Sequence, residues 1–382
     1  FGPRFPKQTR GISFGYGRRG NTGQLSRPTP GSVNSTAVSG TVKRVRFRTT
    51  RALCSTPFQL VLECKTDQAD IYFTTDGSIP SPRHGGRYRE PITIAATTVV
   101  RARAFKPGKR PSRTATHTYV FPQDVPGQTA SPAGFPSHWD SLPADYGMDP
   151  NVSQDPNYRD DLLRGLRAIP TMAISLPTAD LFGTAGLYAN PLDSGRDWER
   201  ATSLELIHPD GREGFQVNCG LRIQGGFSRN RTFPKHGLRV LFKGIYGPTK
   251  LNYPLFPENG AATVFDSLIL RAGFNNSWQA GSSSSQHLRD EFIRRSQMAM
   301  GHVSSHGLFV HLFLNGLYWG VYNAVERPNG TFAAAYLGGE RNEYDALNSG
   351  RPVDGTADSW RQMQELARNS TAENVVETLN TM

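Results

Sequence analysis

Two runs of alternating apolar residues constrain the fold more than any other part of the chain. Apolar side chains occupy every second position from Val217 to Ile223, and residues 238 to 242 repeat the pattern. A period of two is typical of β-strands. The turn between the runs is rich in Gly and Arg, so the sequence predicts two neighbouring strands joined by a positively charged loop.

The composition fits an ordinary globular protein of two to three domains, with 382 residues of which 37% are hydrophobic and 20% charged. No apolar run approaches the ~20 residues that a helix needs to cross a bilayer. The chain begins at Phe1 without a signal-like apolar stretch. We interpret it as an internal fragment of a secreted or cell-surface protein whose export signal is not in this fragment.

The net charge of +11 arises from the start of the chain, where the first 51 residues contain eleven Lys or Arg residues and no acid. A basic, Gly/Pro-rich leader can contact nucleic acid or another anionic polymer. It lacks regular aromatic interleaving and any nucleic-acid motif. We therefore expect a solvated linker or a contact with cell-wall polysaccharide, and no nucleic-acid partner.

Residues 46–121 carry short strands separated by turn residues, among them the tight-turn pair Asp76-Gly77. This spacing predicts a small all-β, immunoglobulin-like sandwich. Three short motifs of the segment resemble the chitobiase C-terminal type of immunoglobulin-like module: Tyr72 to Ser78, Pro91 to Ile94 and Thr116 to Tyr119. The resemblance implies an accessory module, either a spacer or a sugar-binding surface that uses Tyr72 or Tyr88.

The flanking segments complete the domain plan. Residues 1–45 form the basic leader, whose Arg27 to Asn34 resembles the end of a lamin-tail-like module. Residues 122–160, rich in Pro, Ser, Gly and Asp, predict a linker that wraps onto the next domain. Residues 161–382 form the last domain, which we expect to be cut short at its C-terminus.

The three cysteines lack the C-x-x-C spacing of a zinc or redox motif. Cys54 and Cys64 flank an apolar strand, and the sequence leaves open whether they pair or remain thiols. Cys219 occupies an inward position of its strand. We expect it to be a small core residue.

Several motifs in one order resemble the spore-coat protein kinase (CotH) family. The resemblance covers roughly residues 165 to 382 and implies an α+β, atypical protein-kinase-like fold that binds ATP with Mg²⁺ or Mn²⁺ and phosphorylates Ser or Thr of a protein. The motifs are residues 218–242, Leu288 to Phe292, Phe309 to Pro328 and Glu343 to Leu347.

ATP phosphates need donors at short range, which Gly-rich turns and neighbouring basic side chains supply. Lys235 matches a Pro-Lys motif of the family, so we prefer it over Lys243 as the lysine that binds the phosphates. Without the resemblance to the family, we would expect an ordinary hairpin loop and a solvated lysine. The residues assigned to the nucleotide are Gly225, Gly226, Ser228, Arg229, Arg231, Lys235 and Arg289.

Carboxylates are needed because Mg²⁺ prefers hard oxygen ligands and the acceptor hydroxyl needs an orienting acid. The segment from His287 to Met300 predicts a helix with Leu288 and Phe292 turned inward. We assign Asp290 and Glu326 as catalytic residues and as metal ligands, and Asn323 as a further metal ligand.

The sequence also leaves open an alternative function, that of a binding protein without catalytic activity. Many relatives carry an Asp just ahead of the predicted helix, where this chain has four serines at 282–285. Loss of that acid favours a catalytically silent surface or adhesion protein. Retention of Lys235, Asp290 and Glu326 favours a secreted kinase that acts on an extracytoplasmic protein.

Overall fold

A computed structural model describes residues 12–18, 20–25, 29–233, 235–258, 260–277, 285–371 and 376. The first eleven residues of the leader, with residues 27 and 28 of its lamin-tail-like end, lie outside this part. The leader begins the described chain as a three-stranded antiparallel sheet. Its strands are β1 (Phe14–Tyr16), β2 (Thr22–Leu25) and β3 (Ala37–Val38).

A β-rich module follows, with a five-stranded sheet in the order β5-β12-β11-β8-β9 and two strand pairs, β6 with β10 and β4 with β7. The strands are β4 (Arg46–Phe47), β5 (Ala52–Leu53), β6 (Phe58–Leu60), β7 (Leu62–Glu63), β8 (Asp70–Thr74), β9 (Gly86–Arg87), β10 (Ile92–Ile94), β11 (Thr98–Phe105) and β12 (Ala115–Val120).

The module has its own apolar core, in which Leu60, Val100 and Tyr119 are fully buried. Cys54 and Cys64 are both free thiols, and burial raises the pKa of Cys54 to about 11. The question that the sequence left open is therefore answered in favour of thiols.

The segment after the module lies against the following domain. Its Trp139 and Tyr146 belong to the core of that domain, so burial of aromatic surface holds the segment in place. Its elements are a 3₁₀ turn at Pro122–Gly127, β13 (His138–Trp139), β14 (Leu142–Pro143), α1 (Pro150–Ser153) and α2 (Pro156–Gly165).

The last domain is built on a closed barrel of seven strands in the order β15-β16-β17-β18-β21-β23-β22. Neighbours pair antiparallel except β15 and β22, whose parallel pairing closes the barrel. The strands are β15 (Thr171–Ser175), β16 (Arg200–Ile207), β17 (Gln216–Gln224), β18 (Gly237–Leu241), β21 (Ser267–Arg271), β22 (Gly307–Leu314) and β23 (Leu317–Glu326).

Inward side chains fill the barrel, because alternate residues of each strand point to opposite faces. Cys219 and Leu221 of β17 are fully buried there, with Leu238 and Val240 of β18. Cys219 is thus the core residue that its alternating position predicted. The β22–β23 turn uses Asn315 and Gly316, both at positive φ, as a two-residue hairpin requires.

The remaining elements surround the barrel. No helix of the described residues is long and apolar enough to span a membrane. These elements are α3 (Thr178–Phe182), β19 (Leu251–Asn252), β20 (Val264–Phe265), α4 (Arg289–Ala299), α5 (Gly330–Leu337), β24 (Ala346–Asn348), β25 (Arg351–Asp354) and α6 (Asp358–Asn369).

The module packs on the outer surface of β15, β16 and β22 through a small shared core and a buried carboxylate. Glu205 of β16 accepts hydrogen bonds from Arg51 Nε at 3.0 Å and from the Thr118 N–H and hydroxyl at 3.2 and 2.5 Å. Gly77 of the module lies against the barrel turn, where a Cβ would be 2.4 Å from Asn315 Oδ1.

The chain is therefore multidomain and rich in β-structure, as the sequence predicted, with a β-rich module ahead of a seven-stranded barrel. The kinase-like arrangement of the last domain stays a prediction.

Candidate functional site

Three neighbouring strands of the barrel carry basic side chains on their outer surface. Leu221, Val240 and Leu268 face the core, so the residues next to them along each strand face outward. In the register of β17 and β18, Arg222 lies directly opposite Arg239. Two guanidinium groups are thereby placed side by side on the barrel wall.

A cavity of about 510 Å³ lies over this surface. Arg222, Arg229, Arg271 and Arg327 line it, and Gly225 contributes backbone at the start of the Gly-rich loop. The β24–β25 hairpin forms another wall of the cavity. No carboxylate is among the described residues that line it.

The arginines are poorly compensated. Burial, together with the positive charges of Arg327 and Arg222, lowers the pKa of Arg239 to about 10. Burial and the charge of Arg222 also lower the pKa of Arg327. The buried Nε atoms of Arg239 and Arg327 have no hydrogen-bond partner within the described structure. These two atoms are buried, so the groups that face the cavity itself are the guanidinium groups of Arg222, Arg229, Arg271 and Arg327.

Two carboxylates contact the arginines of the cavity from its edges. Glu199 lies 3.8 Å from Arg222, but it is buried and held at 2.6 Å by Lys243. Asp290 lies 3.1 Å from Arg271, and its side chain remains 34% exposed. Asp290 is therefore the more accessible of these two acids.

Helix α4 turns its charged side toward the barrel. Arg294 is bonded to Asp290, Glu291 and Asn323, and Asn323 Nδ2 donates to Glu291 Oε2 at 3.1 Å. Because this network occupies the inner side of the helix, the apolar residues are displaced to the outside. Phe292 is 70% exposed.

The predicted inward orientation of Leu288 and Phe292 is therefore wrong. Leu288 is 64% exposed, and it lies just before Arg289, the first residue of α4. An apolar period predicts the core side of a helix only when the neighbouring surface is apolar. Here β23 presents Asn323, which attracts the charged side instead.

The loop residues assigned to the nucleotide lie at different places around the cavity. Gly225 and Arg229 line it. Arg229 Nε donates to the Pro191 carbonyl at 2.6 Å, which partly engages its guanidinium. Ser228 packs on Gly225, where a Cβ would be 2.3 Å from Ser228 Oγ. Outside the lining are Gly226, Arg231 and Arg289, all exposed.

Lys235 lies in a second, smaller cavity of about 120 Å³ with Trp139, Tyr146 and Trp319. By surface area its side chain is exposed, yet burial of the ammonium end among these rings lowers its pKa. The backbone of Gly320 leaves room for it, because a Cβ there would be 2.7 Å from Lys235 Nζ. The structure does not bring Lys235 into the arginine cavity.

Glu326 is buried in a network of its own. Its carboxylate accepts from the His306 N–H at 2.9 Å and from the Tyr336 hydroxyl at 2.7 Å. Asn323 and Glu326 are three positions apart on β23, so their side chains point to opposite faces. The structure brings Asp290 and Asn323 together and leaves Glu326 apart from both.

The donor set does not fit a divalent metal. Within the described residues, no group of three or more His, Cys, Asp or Glu side chains is placed to hold a metal ion. The Asp290 carboxylate and the Asn323 amide oxygen both already accept from Arg294. A phosphate group fits better, because four arginines line the cavity and guanidinium groups bind phosphate oxygens through paired donors.

Sequence reasoning missed Arg222, Arg271 and Arg327. Arg222 and Arg239 occupy outward positions of the two predicted strands, and that alternation was the signal that could have placed Arg222 on the same face as Arg239. Arg271 and Arg327 reach the site only through the pairing of β21 and β23, which the sequence does not reveal.

Two family models match the chain. Residues 53–116 match the chitobiase/beta-hexosaminidase C-terminal domain, and residues 221–380 match the family described as CotH kinase protein. No curated protein matches the chain significantly. The second match spans the Gly-rich loop, the cavity arginines Arg222 and Arg327, and helix α4. The two matches, to a chitobiase/beta-hexosaminidase C-terminal domain and then to a CotH kinase domain, confirm the order of domains that the sequence predicted.

Proposed function

We propose that the chain is a secreted, ATP-dependent protein kinase that transfers phosphate to Ser or Thr of an extracytoplasmic protein. The observation that carries the proposal is the cavity of about 510 Å³ lined by Arg222, Arg229, Arg271 and Arg327 beside Gly225. The match of residues 221–380 to a kinase family supports the reaction class.

The arginines would hold the phosphates. Guanidinium groups bind phosphate oxygens through paired N–H donors, and four of them line the cavity. Gly225, at φ +137, brings backbone close to the cavity without a side chain in the way. These residues would fix the phosphate chain and offset the negative charge that develops during transfer.

Asp290 would orient the acceptor. ATP bound in the cavity would supply the phosphoryl group that passes to the hydroxyl. Asp290 is joined to the cavity through Arg271 at 3.1 Å and is partly exposed. Its carboxylate can accept a hydrogen bond from an incoming Ser or Thr hydroxyl, which would aim the hydroxyl oxygen at the cavity.

Glu326 receives a supporting role in this proposal. Its bonds to His306 and Tyr336 tie β23 to α5, which lies beside the β24–β25 wall of the cavity. Because the carboxylate is buried and its oxygens are engaged, it would position these elements rather than touch the acceptor. No step is assigned to Mg²⁺ or Mn²⁺, since the described donors do not fit them.

The rival function is a silent protein that uses both domains as binding surfaces. The bonds of Asp290 to Arg271 and Arg294 favour this rival, because the two guanidinium groups already engage the carboxylate that would orient the acceptor. Polysaccharide binding by the N-terminal module is compatible with either function. A transfer assay separates the two.

The assay measures transfer of label from γ-labelled ATP to protein, with ATP affinity measured by calorimetry on the same samples. We expect Asp290→Asn to abolish transfer while ATP affinity changes little. Asp161→Asn, an exposed acid on α2, is the matched control. Binding of ATP without transfer by the unmodified chain would establish the rival, and absence of binding would refute both the site and the proposal.

Lys235→Ala tests the alternative position for the phosphates. If the phosphates lie in the arginine cavity, this change leaves ATP affinity nearly unaltered. A loss of about tenfold or more, the effect of one hydrogen bond to a charged group, would move the phosphates toward the aromatic cavity.

A further inference from the structure

The cavity differs from a metal-dependent phosphate site in the sign and number of its charges. We infer that the nucleotide binds without a divalent metal, because the guanidinium groups of the cavity take over the neutralisation that the metal would provide. This inference rests on the proposed function, and it concerns binding only.

The first step is the excess of positive charge. Arg222, Arg229, Arg271 and Arg327 line the cavity, and Arg239 lies beside Arg222 on the barrel wall. Burial lowers the pKa values of Arg239 and Arg327, and so does the positive charge of Arg222; Arg327 also lowers that of Arg239. The arginines of this cluster therefore repel one another. A bound polyanion relieves the repulsion, and each metal ion bound with it would reduce that gain.

The second step is that the nearby acids are already engaged. Lys243 holds Glu199 at 2.6 Å, which leaves little of its charge for Arg222 at 3.8 Å. Asp290 accepts from Arg294 and lies 3.1 Å from Arg271. Asp266 and Asp354 also act on Arg327, but Asp354 is bonded to Arg341. Burial and the charge of Arg222 outweigh both acids, because the pKa of Arg327 is still lowered.

The third step concerns the oxygens that a metal would need. To hold a cation with Asp290 and Asn323, the protein would have to break their bonds to Arg294. Arg294 would then be left inside the network with Glu291 alone. Mg²⁺ also requires near-octahedral oxygen ligands, and it releases its waters reluctantly. The arrangement favours Arg294 over a metal.

The experiment is calorimetry of the full chain with ATP, once in excess EDTA and once in saturating Mg²⁺. We expect ATP to bind in EDTA at least as tightly as in Mg²⁺. Inorganic triphosphate in EDTA should compete with ATP, because the phosphates carry the recognition. Raising the salt concentration should weaken both ligands, as it does for any site made of partly exposed charges.

Three variants locate the effect. Arg222→Gln should weaken binding in EDTA by about tenfold or more, whereas Arg164→Gln, an exposed arginine on α2, should leave it unchanged. Arg222→Lys keeps the charge and the fold while losing the paired donors, so its affinity should fall between the two. Thermal denaturation of each variant confirms that it is folded.

The outcomes separate the inference from the function beneath it. Tight binding in Mg²⁺ with none in EDTA would overturn the inference and leave the proposed kinase intact. No binding in either buffer would overturn the proposed function, and the inference with it. Binding in EDTA that Arg222→Gln does not weaken would place the nucleotide elsewhere and overturn the inference.

Discussion

Two parts of the barrel's outer surface treat buried charge in opposite ways. Under the N-terminal module, Glu205 is bonded to Arg51 and to both the N–H and the hydroxyl of Thr118. Across the barrel, Arg239 and Arg327 lie together with free Nε atoms. Each makes one long bond of 3.4 Å, to Ser267 and Gln224 respectively.

The difference separates a structural charge from a functional one. A buried group that only supports the fold needs its partners inside the chain, because an unpaired one costs stability. Glu205 meets that requirement. Arg239 and Arg327 make only long bonds to the described chain and lie at a cavity lined by arginines, where we propose that an anion binds. This contrast distinguishes the two regions more clearly than burial alone.

The largest expected effect follows from removing a partner at the domain interface. Arg51→Met leaves Glu205 buried without its cation, and breaking such a pair costs roughly 3 to 5 kcal/mol. We expect a loss near the lower end in chemical denaturation at pH 8, since Arg51 is itself partly exposed. A loss below about 0.5 kcal/mol, typical of surface changes, would show that the interface does not depend on this pair.

Replacing an arginine at the cavity by methionine should not lower the free energy of unfolding, in contrast to the same replacement at the interface. Arg239→Met keeps the apolar stem and removes repulsion with Arg222 and Arg327, so the free energy of unfolding should stay level or rise. ATP affinity should fall by about 1.5 to 3 kcal/mol, the value of hydrogen bonds to a charged group. Denaturation and calorimetry on one preparation measure both.

A clear loss of stability in Arg239→Met would contradict the comparison. The arginine would then be structural, and the cavity would lose its claim to an external anion. The exposed Arg164→Met serves as the control, with neither quantity expected to change.

The sequence predicted local features of both regions and missed the pairings between distant segments. The alternation around Cys219 and the Asn315-Gly316 turn depend on neighbouring residues, so they could be predicted. The closure of the barrel by β15 with β22 joins segments more than a hundred residues apart, for which no local signal exists. The same holds for Glu205, whose partners Arg51 and Thr118 come from another domain.

The sequence predicted a phosphate-binding site at the Gly-rich loop, but it did not predict most of the residues that line the cavity. Gly225 and Arg229 were identified from the Gly-rich loop, and both line the cavity. Lys235 was preferred because of its neighbouring proline, yet the turn that precedes β18 places it among aromatic rings. Arg271 could not be assigned, since its approach to the cavity depends on the register of β18 with β21.

A pH titration tests the interface side of the comparison. Burial raises the pKa of Glu205 to about 7, against an ordinary value of 4.5, and Arg51 and Thr118 offset only part of this rise. The folded state therefore binds more protons than the unfolded state between these values. The stability that Glu205 contributes is full below about pH 4.5 and is lost as the pH rises through 7.

Glu205→Gln removes this titration, so its free energy of unfolding should vary less between pH 5 and pH 8 than that of the parent chain. The parent chain should lose roughly 2 to 3 kcal/mol more over this range than the variant, because each unit of pKa difference is worth about 1.4 kcal/mol. Glu63→Gln, an exposed acid of the module, is the control. Parallel curves for parent and Glu205→Gln would show that Glu205 stays ionised throughout, fully compensated by Arg51.

The smallest expected effect lies on α4, where the charged network next to the cavity has displaced apolar side chains to the surface. Phe292 is 70% exposed, so Phe292→Ser should change the free energy of unfolding by less than about 0.5 kcal/mol. A buried phenylalanine truncated in this way would cost about 3 to 5 kcal/mol. Denaturation of Phe292→Ser beside Phe313→Ser, a core substitution in β22, measures both limits. If the two variants lose similar stability, α4 is turned the other way, Asp290 and Arg294 no longer face Asn323, and the acid that flanks the cavity must be sought elsewhere.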